Sequence, residues 1–115
     1  MMRPTRIYVR PVLAALRTIP IAAMTHITGG GLAGRLPGLV ARRPDLSVRH
    51  RPGGWVIPKL FSVIQRAGGI SDREMAHTFN LGIGMAMACR ASDAERLVRL
   101  MACSGVPAWP IGVIE

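Results

Sequence analysis

The chain has 115 residues, half of them hydrophobic and 18% charged, with a formal net charge of +9. That length suits one compact domain, and that composition excludes a disordered tract. No apolar run approaches the roughly 20 residues needed to cross a bilayer, which argues against a membrane partner.

Pro4 followed by Ile7, Tyr8, Val12, Leu13 and Leu16 has the three- and four-residue spacing of an amphipathic helix. Pro11 removes a backbone donor and should kink that helix or delay its start. The stretch 7–21 is broken by Arg10, Pro11 and Arg17, so it lacks the clean apolar centre of a leader peptide, and a cytoplasmic location is expected. Ile21 to Ile27 reads as a short buried strand. Gly29-Gly30-Gly31 follows at once, and Leu32 to Val40 reads as a short helix ended near Gly38. Leu46 to Arg51 alternates like a half-buried strand and runs into a Pro52-Gly53-Gly54 turn.

Pro58 to Ala67 is a second helical pattern, with Leu60, Phe61, Ile64 and Ala67 on one face and Gly68-Gly69 as its stop. Ser71-Asp72-Arg73-Glu74 is a capping box that opens a short helix to about His77. Gly82 to Cys89 reads as a central strand. Ser92, with Glu95 three residues on, reads as the cap of a helix ending near Gly105, and Ala108 to Ile114 closes the chain as a strand. This alternation indicates an α+β or α/β layered domain, a mixed sheet with helices packed on it.

The two cysteines, Cys89 and Cys103, lie among apolar neighbours and are expected to be buried free thiols. Apart from Arg42-Arg43 and Arg49-His50-Arg51 the basic residues are scattered, and two Phe, two Trp and one Tyr give no stacking platform. Attraction of small anions therefore fits the charge better than a nucleic-acid partner does. The six carboxylates form no clustered metal-ligand pattern, so no metal site is expected.

Two segments carry candidate chemistry. His26-Ile27-Thr28-Gly29-Gly30-Gly31 runs a strand into glycines and then a helix, which exposes backbone amides where a phosphate could sit closely. Thr28 adds a hydroxyl, and His26 could contact or protonate a nearby oxygen. Taken alone, the three glycines are better explained by a plain turn. In Thr78-Phe79-Asn80-Leu81-Gly82-Ile83-Gly84-Met85, Asn80 both donates and accepts, while Gly82 and Gly84 clear one face for a ligand or for a packed helix.

Taken together with Pro4-Thr5-Arg6-Ile7-Tyr8-Val9, Leu36-Pro37, Trp55, Pro58, Phe61, Gly68-Gly69, Glu74-Met75 and Trp109-Pro110-Ile111-Gly112, these segments resemble the phosphoribosylformylglycinamidine cyclo-ligases, or aminoimidazole ribonucleotide synthetases, over essentially the whole chain. The resemblance implies a homodimeric, two-domain enzyme of purine synthesis that closes the imidazole ring of formylglycinamidine ribonucleotide with ATP and magnesium. It implies that residues 1–115 are a single, incomplete C-terminal domain without the N-terminal ATP-binding domain. The candidate substrate- and phosphate-binding residues are then His26, Thr28, Gly29, Gly30, Gly31 and Asn80. The expected partners are the ribonucleotide and either a second copy or a separate ATP-binding chain. The chain alone is expected to bind neither ATP nor magnesium and to be inactive, and exposed apolar strand with an open sheet edge is expected. Gly38 stands where the family usually has Arg, which removes one cation from the phosphate side.

Overall fold

The computed structural model describes residues 3–51 and 53–115. Helix α1 covers Val9–Thr18, so Pro11 occupies the first turn, where its missing N–H costs nothing, and it delays the start of the helix rather than kinking it. The first helical bond runs from the Val12 amide to the Tyr8 carbonyl at 2.9 Å. Pro11, Val12 and Ala15 face inward. Leu13 and Leu16, read as part of the apolar face, are 49% and 44% exposed, and Ile7 lies outside the helix and is exposed.

Strand β1 (Ile21–His26) pairs antiparallel with β3 (Met85–Cys89), with an irregularity between Ile21 and Ala23. Strand β2 (Val48–His50) pairs antiparallel with β4 (Gly112–Ile114). Paired backbone bonds between Ser47 and Glu115 at 2.7 and 3.0 Å, and an Arg49–Glu115 ion pair at 2.9 Å, extend that ladder. The layered mixture of helices and strands is as read. In place of one mixed sheet, however, the described residues form two antiparallel pairs, and each strand is shorter than expected. Leu81 and Gly82 form a turn, Ile83 and Gly84 are irregular, and so is 108–111. Each strand has one partner among the described residues, so both ladders keep open edges, as expected.

The region expected to be one helix from Leu32 to Val40 is a five-residue helix α2 (Gly31–Arg35) that tightens into a 3-10 helix over Leu36–Val40. Helix α3 (Lys59–Gly68) ends in a Schellman motif: Gly69 is left-handed, and the Gly69 and Ile70 amides bond to the Arg66 and Gln65 carbonyls. Helix α4 (Asp72–Thr78) is capped as read, the Ser71 hydroxyl accepting from the Glu74 amide at 3.2 Å. Glu74 does not complete the box; it accepts instead from the Thr78 hydroxyl at 3.4 Å. Ser92 is no cap either. It sits inside a 3-10 turn (Ala91–Asp93) that leads into α5 (Ala94–Cys103), whose capping position is Asp93. The expected turn after Arg51 is present at Gly53 and Gly54, and Pro52 lies outside the described residues.

Two apolar clusters hold the domain. One joins Ile27, Leu32, Leu36, Trp55, Ile83 and Ala86. The other joins Ala15, Ile19, Leu97, Met101 and Val106, with Met87 and Cys89 packed against it. Successive strand residues face opposite ways, so Ala86 and Met87 place the two faces of the β1–β3 ladder against different cores.

Both cysteines are free, but neither is fully buried: Cys89 is half-buried and Cys103 is exposed on the last turn of α5. Burial, and to a smaller degree the Asp93 charge, pushes the Cys89 thiol above its ordinary pKa. Less thiolate at neutral pH means slower alkylation. Limited iodoacetamide treatment at pH 7.5 is therefore expected to modify Cys103 well before Cys89. Peptide mass spectrometry giving equal rates would contradict that placement.

Candidate functional site

The two sequence motifs meet although about fifty residues separate them in the chain. The Leu32 amide donates to the Phe79 carbonyl at 3.0 Å, which ties the glycine segment to the Thr78-Phe79-Asn80 segment. The contact is close because Gly31 has no side chain: it is buried at φ +64°, and a Cβ there would lie 2.5 Å from the Ala76 carbonyl oxygen and 2.7 Å from the His77 carbonyl carbon. Gly31 therefore joins two short helices as well as turning the chain.

Beside this junction is an open cleft of about 290 Å³ lined by Ile27, Thr28, Gly29, Phe61, Thr78, Phe79 and Asn80. Of the six candidate residues, Thr28, Gly29 and Asn80 line it together. Gly30 and Gly31 follow Gly29 without lining it. His26 ends β1 opposite Met85, and its ring stands edge-on to Tyr8 with centroids 6.2 Å apart.

Not every glycine amide is available. The Gly31 amide folds back onto the Thr28 carbonyl at 3.1 Å, whereas the Gly29 and Gly30 amides have no partner among the described residues. Gly30 adopts φ +93°, a left-handed conformation that favours glycine. The anticipated help from a helix dipole is small, since α2 has five residues. Any anion held here would rest on free amides and on a cation that the sequence reading missed. Arg35 donates through Nε to the Gly29 carbonyl at 2.7 Å, which holds its guanidinium at the loop. Its position four residues after Gly31, one helical turn on, was the available signal.

Asn80 shapes the opposite wall. Its Oδ1 accepts from the Gly82 amide at 2.9 Å, an Asx turn that stabilises Leu81 at φ +52° and Gly82 at φ +93°. This leaves the Nδ2 donors without a partner in the described chain. Gly82 and Gly84 serve packing, as the alternative reading had it. A Cβ on Gly82 would meet the Pro58 ring at 2.7 Å, and one on Gly84 would overlap the Tyr8 hydroxyl.

A larger hollow of about 530 Å³ lies between residues 6–11 and 104–106 and contains none of the six candidate residues. Among the described residues no group of three or more His, Cys, Asp or Glu side chains could hold a metal ion, and no helix is long and apolar enough to cross a membrane. The basic clusters are partly neutralised, Arg43 by Asp45 at 2.8 Å and Arg49 by Glu115.

Against known proteins, the sequence model of the family described as AIR synthase related protein, C-terminal domain, matches residues 1–115. The phosphoribosylformylglycinamidine cyclo-ligase of Paraburkholderia xenovorans (strain LB400) is 44% identical over 115 residues, all of this chain and 32% of the relative. The proteins of the same name from Cupriavidus taiwanensis and Cupriavidus necator are 43% and 41% identical over 114 residues, 99% of this chain and 32% of each relative. The chain thus spans about a third of the length of the curated relatives it matches.

Proposed function

The chain belongs to the AIR synthase related protein family, matching its C-terminal domain, and from that premise we propose that it forms the substrate-side wall of a phosphoribosylformylglycinamidine cyclo-ligase. Such an enzyme closes formylglycinamidine ribonucleotide to aminoimidazole ribonucleotide, with ATP, in cytoplasmic purine synthesis. The observation that carries the reading is the single cleft formed by Thr28 and Gly29 with Thr78, Phe79 and Asn80. The unpartnered Gly29 and Gly30 amides, with Arg35 beside them, suit the ribonucleotide phosphate. The Asn80 amide nitrogen suits a carbonyl or ring nitrogen at the other end.

A magnesium ion does not fit this set. Its carboxylates, Asp45, Asp72, Glu74, Asp93, Glu95 and Glu115, bring no ligand cluster together among the described residues. On this reading the nucleotide is held by the family's other domain, in the same polypeptide or in a separate chain, and residues 1–115 alone bind without turning over. A ribonucleotide-binding module without catalysis is the second reading, favoured by the same lack of metal ligands. Mixing with a relative's nucleotide-binding domain separates the two, since only the first reading gives turnover.

The direct test is thermal unfolding with formylglycinamidine ribonucleotide. At about 100 times its dissociation constant the ligand should stabilise the fold by roughly 2.7 kcal/mol, raising Tm by several degrees. Gly29→Ala is the informative variant, because a Cβ there meets nothing within 4 Å. Its unliganded Tm should stay near wild type while the ligand-induced rise is lost. A full rise in Gly29→Ala would remove the phosphate seat from the glycine loop.

A further inference from the structure

We propose that Phe61 and Phe79 form a selectivity wall that recognises a flat, aromatic five-membered ring attached to the ribose phosphate, so that the cleft prefers the ring-closed ribonucleotide. The proposal rests on the reading of the cleft as a ribonucleotide site. The sequence contains two phenylalanines, and both line this one cleft. Their centroids are 5.8 Å apart with planes inclined at 56°. Neither belongs to either apolar core, and both are half-buried. Side chains of this size normally supply core burial, so placing the pair on a cleft wall points to contact with a ligand.

The two rings are held differently. Phe79 is fixed by its backbone, its amide bonded to the Met75 carbonyl at 2.8 Å and its carbonyl to the Leu32 amide. Phe61 rides on α3, which has no buried residue and leaves Leu60 and Val63 exposed. That helix is tied to α4 by a Gln65–Asp72 hydrogen bond of 2.6 Å. The two rings thus stand on different elements and together make one apolar wall of the cleft. The polar residues line the same cleft, so a phosphate near Gly29 leaves the base facing an apolar surface. An open amidine chain is flexible and polar, and gains little there. A closed imidazole is flat and aromatic, and gains by stacking.

The test uses the full 115-residue chain and two probes, ribose 5-phosphate and aminoimidazole ribonucleotide, titrated by calorimetry. Wild type should bind the imidazole ribonucleotide about tenfold more tightly, the scale of one aromatic stacking contact. Phe61→Tyr keeps the ring and should keep the preference. Phe61→Leu keeps apolar bulk without the ring, and should lose most of the preference while its affinity for ribose 5-phosphate is unchanged. Full preference in Phe61→Leu overturns the proposal, as does equal binding of both probes by wild type, and either result leaves the phosphate seat standing. Wild type binding neither probe overturns the ribonucleotide site itself, and this inference with it.

Discussion

Trp55→Ala is expected to lower the unfolding free energy by about 3–5 kcal/mol, the range for removing a large aromatic side chain from a core. Trp55 is 8% exposed and packs in the cluster of Ile27, Leu32, Leu36 and Ile83. Its Nε1–H donates to the Leu81 carbonyl at 3.0 Å. Among the described residues Leu81 is the one non-glycine held at positive φ, so the indole fixes the least comfortable point of the Asn80–Gly82 turn. Truncation would therefore open a cavity and release that turn together. A domain of this kind has about 5–15 kcal/mol in total, so much of the population would unfold at moderate temperature. Trp55→Phe keeps most of the volume and loses the hydrogen bond, and should be clearly milder. Urea unfolding measures both. A loss below 1 kcal/mol in the alanine variant would mean that Trp55 does not hold the turn.

The second large effect is expected from Gly31→Ala. Its Cβ would meet main-chain atoms of Ala76 and His77, which cannot rotate aside, at a residue already at φ +64°. Helices α2 and α4 would have to separate, breaking the 3.0 Å bond between the Leu32 amide and the Phe79 carbonyl. The expected cost is at least about 2 kcal/mol, or a fall in Tm of about 8 °C, with ribonucleotide binding lost because the two walls part. Gly30→Ala meets nothing closer than the Gly34 Cα at 4.0 Å. It should incur only the left-handed penalty of about 1–2 kcal/mol. Differential scanning calorimetry should rank the three replacements Gly31, Gly30, Gly29 from most to least damaging. A Gly31→Ala protein as stable as wild type would contradict the helix junction.

The features legible in the sequence were those set by local chemistry. Gly69 after an apolar periodicity ends α3, and Ser71 three residues before Glu74 caps α4, as their neighbours dictate. The meeting of the two motifs rested on resemblance, and the hydrogen bond from Leu32 to Phe79 gives it a physical basis. Three features escaped. Gly82 to Gly84 looks like strand in composition, but the Asn80 side chain takes the Gly82 amide and turns the backbone before the ladder begins. Ser92 and Glu95 have cap spacing, yet the helical winding begins a turn earlier with the Asp93 amide bonded to the Arg90 carbonyl. Arg35 and Phe61 reach the site through tertiary placement, and spacing along the chain does not encode which wall a side chain joins.

The ladder shared between two cores bears on how the molecule opens. Each core can loosen separately, but the β1–β3 amides stay protected until both have given way. Every motif residue of the cleft lies on the Trp55 side or at the end of the ladder, while α1 and α5 belong to the other unit. Partial melting of the α1–α5 layer would thus produce a half-open species that still presents a formed cleft. Cleft integrity and global folding are therefore separable properties in this chain, with the state of the cleft reporting on one half of it.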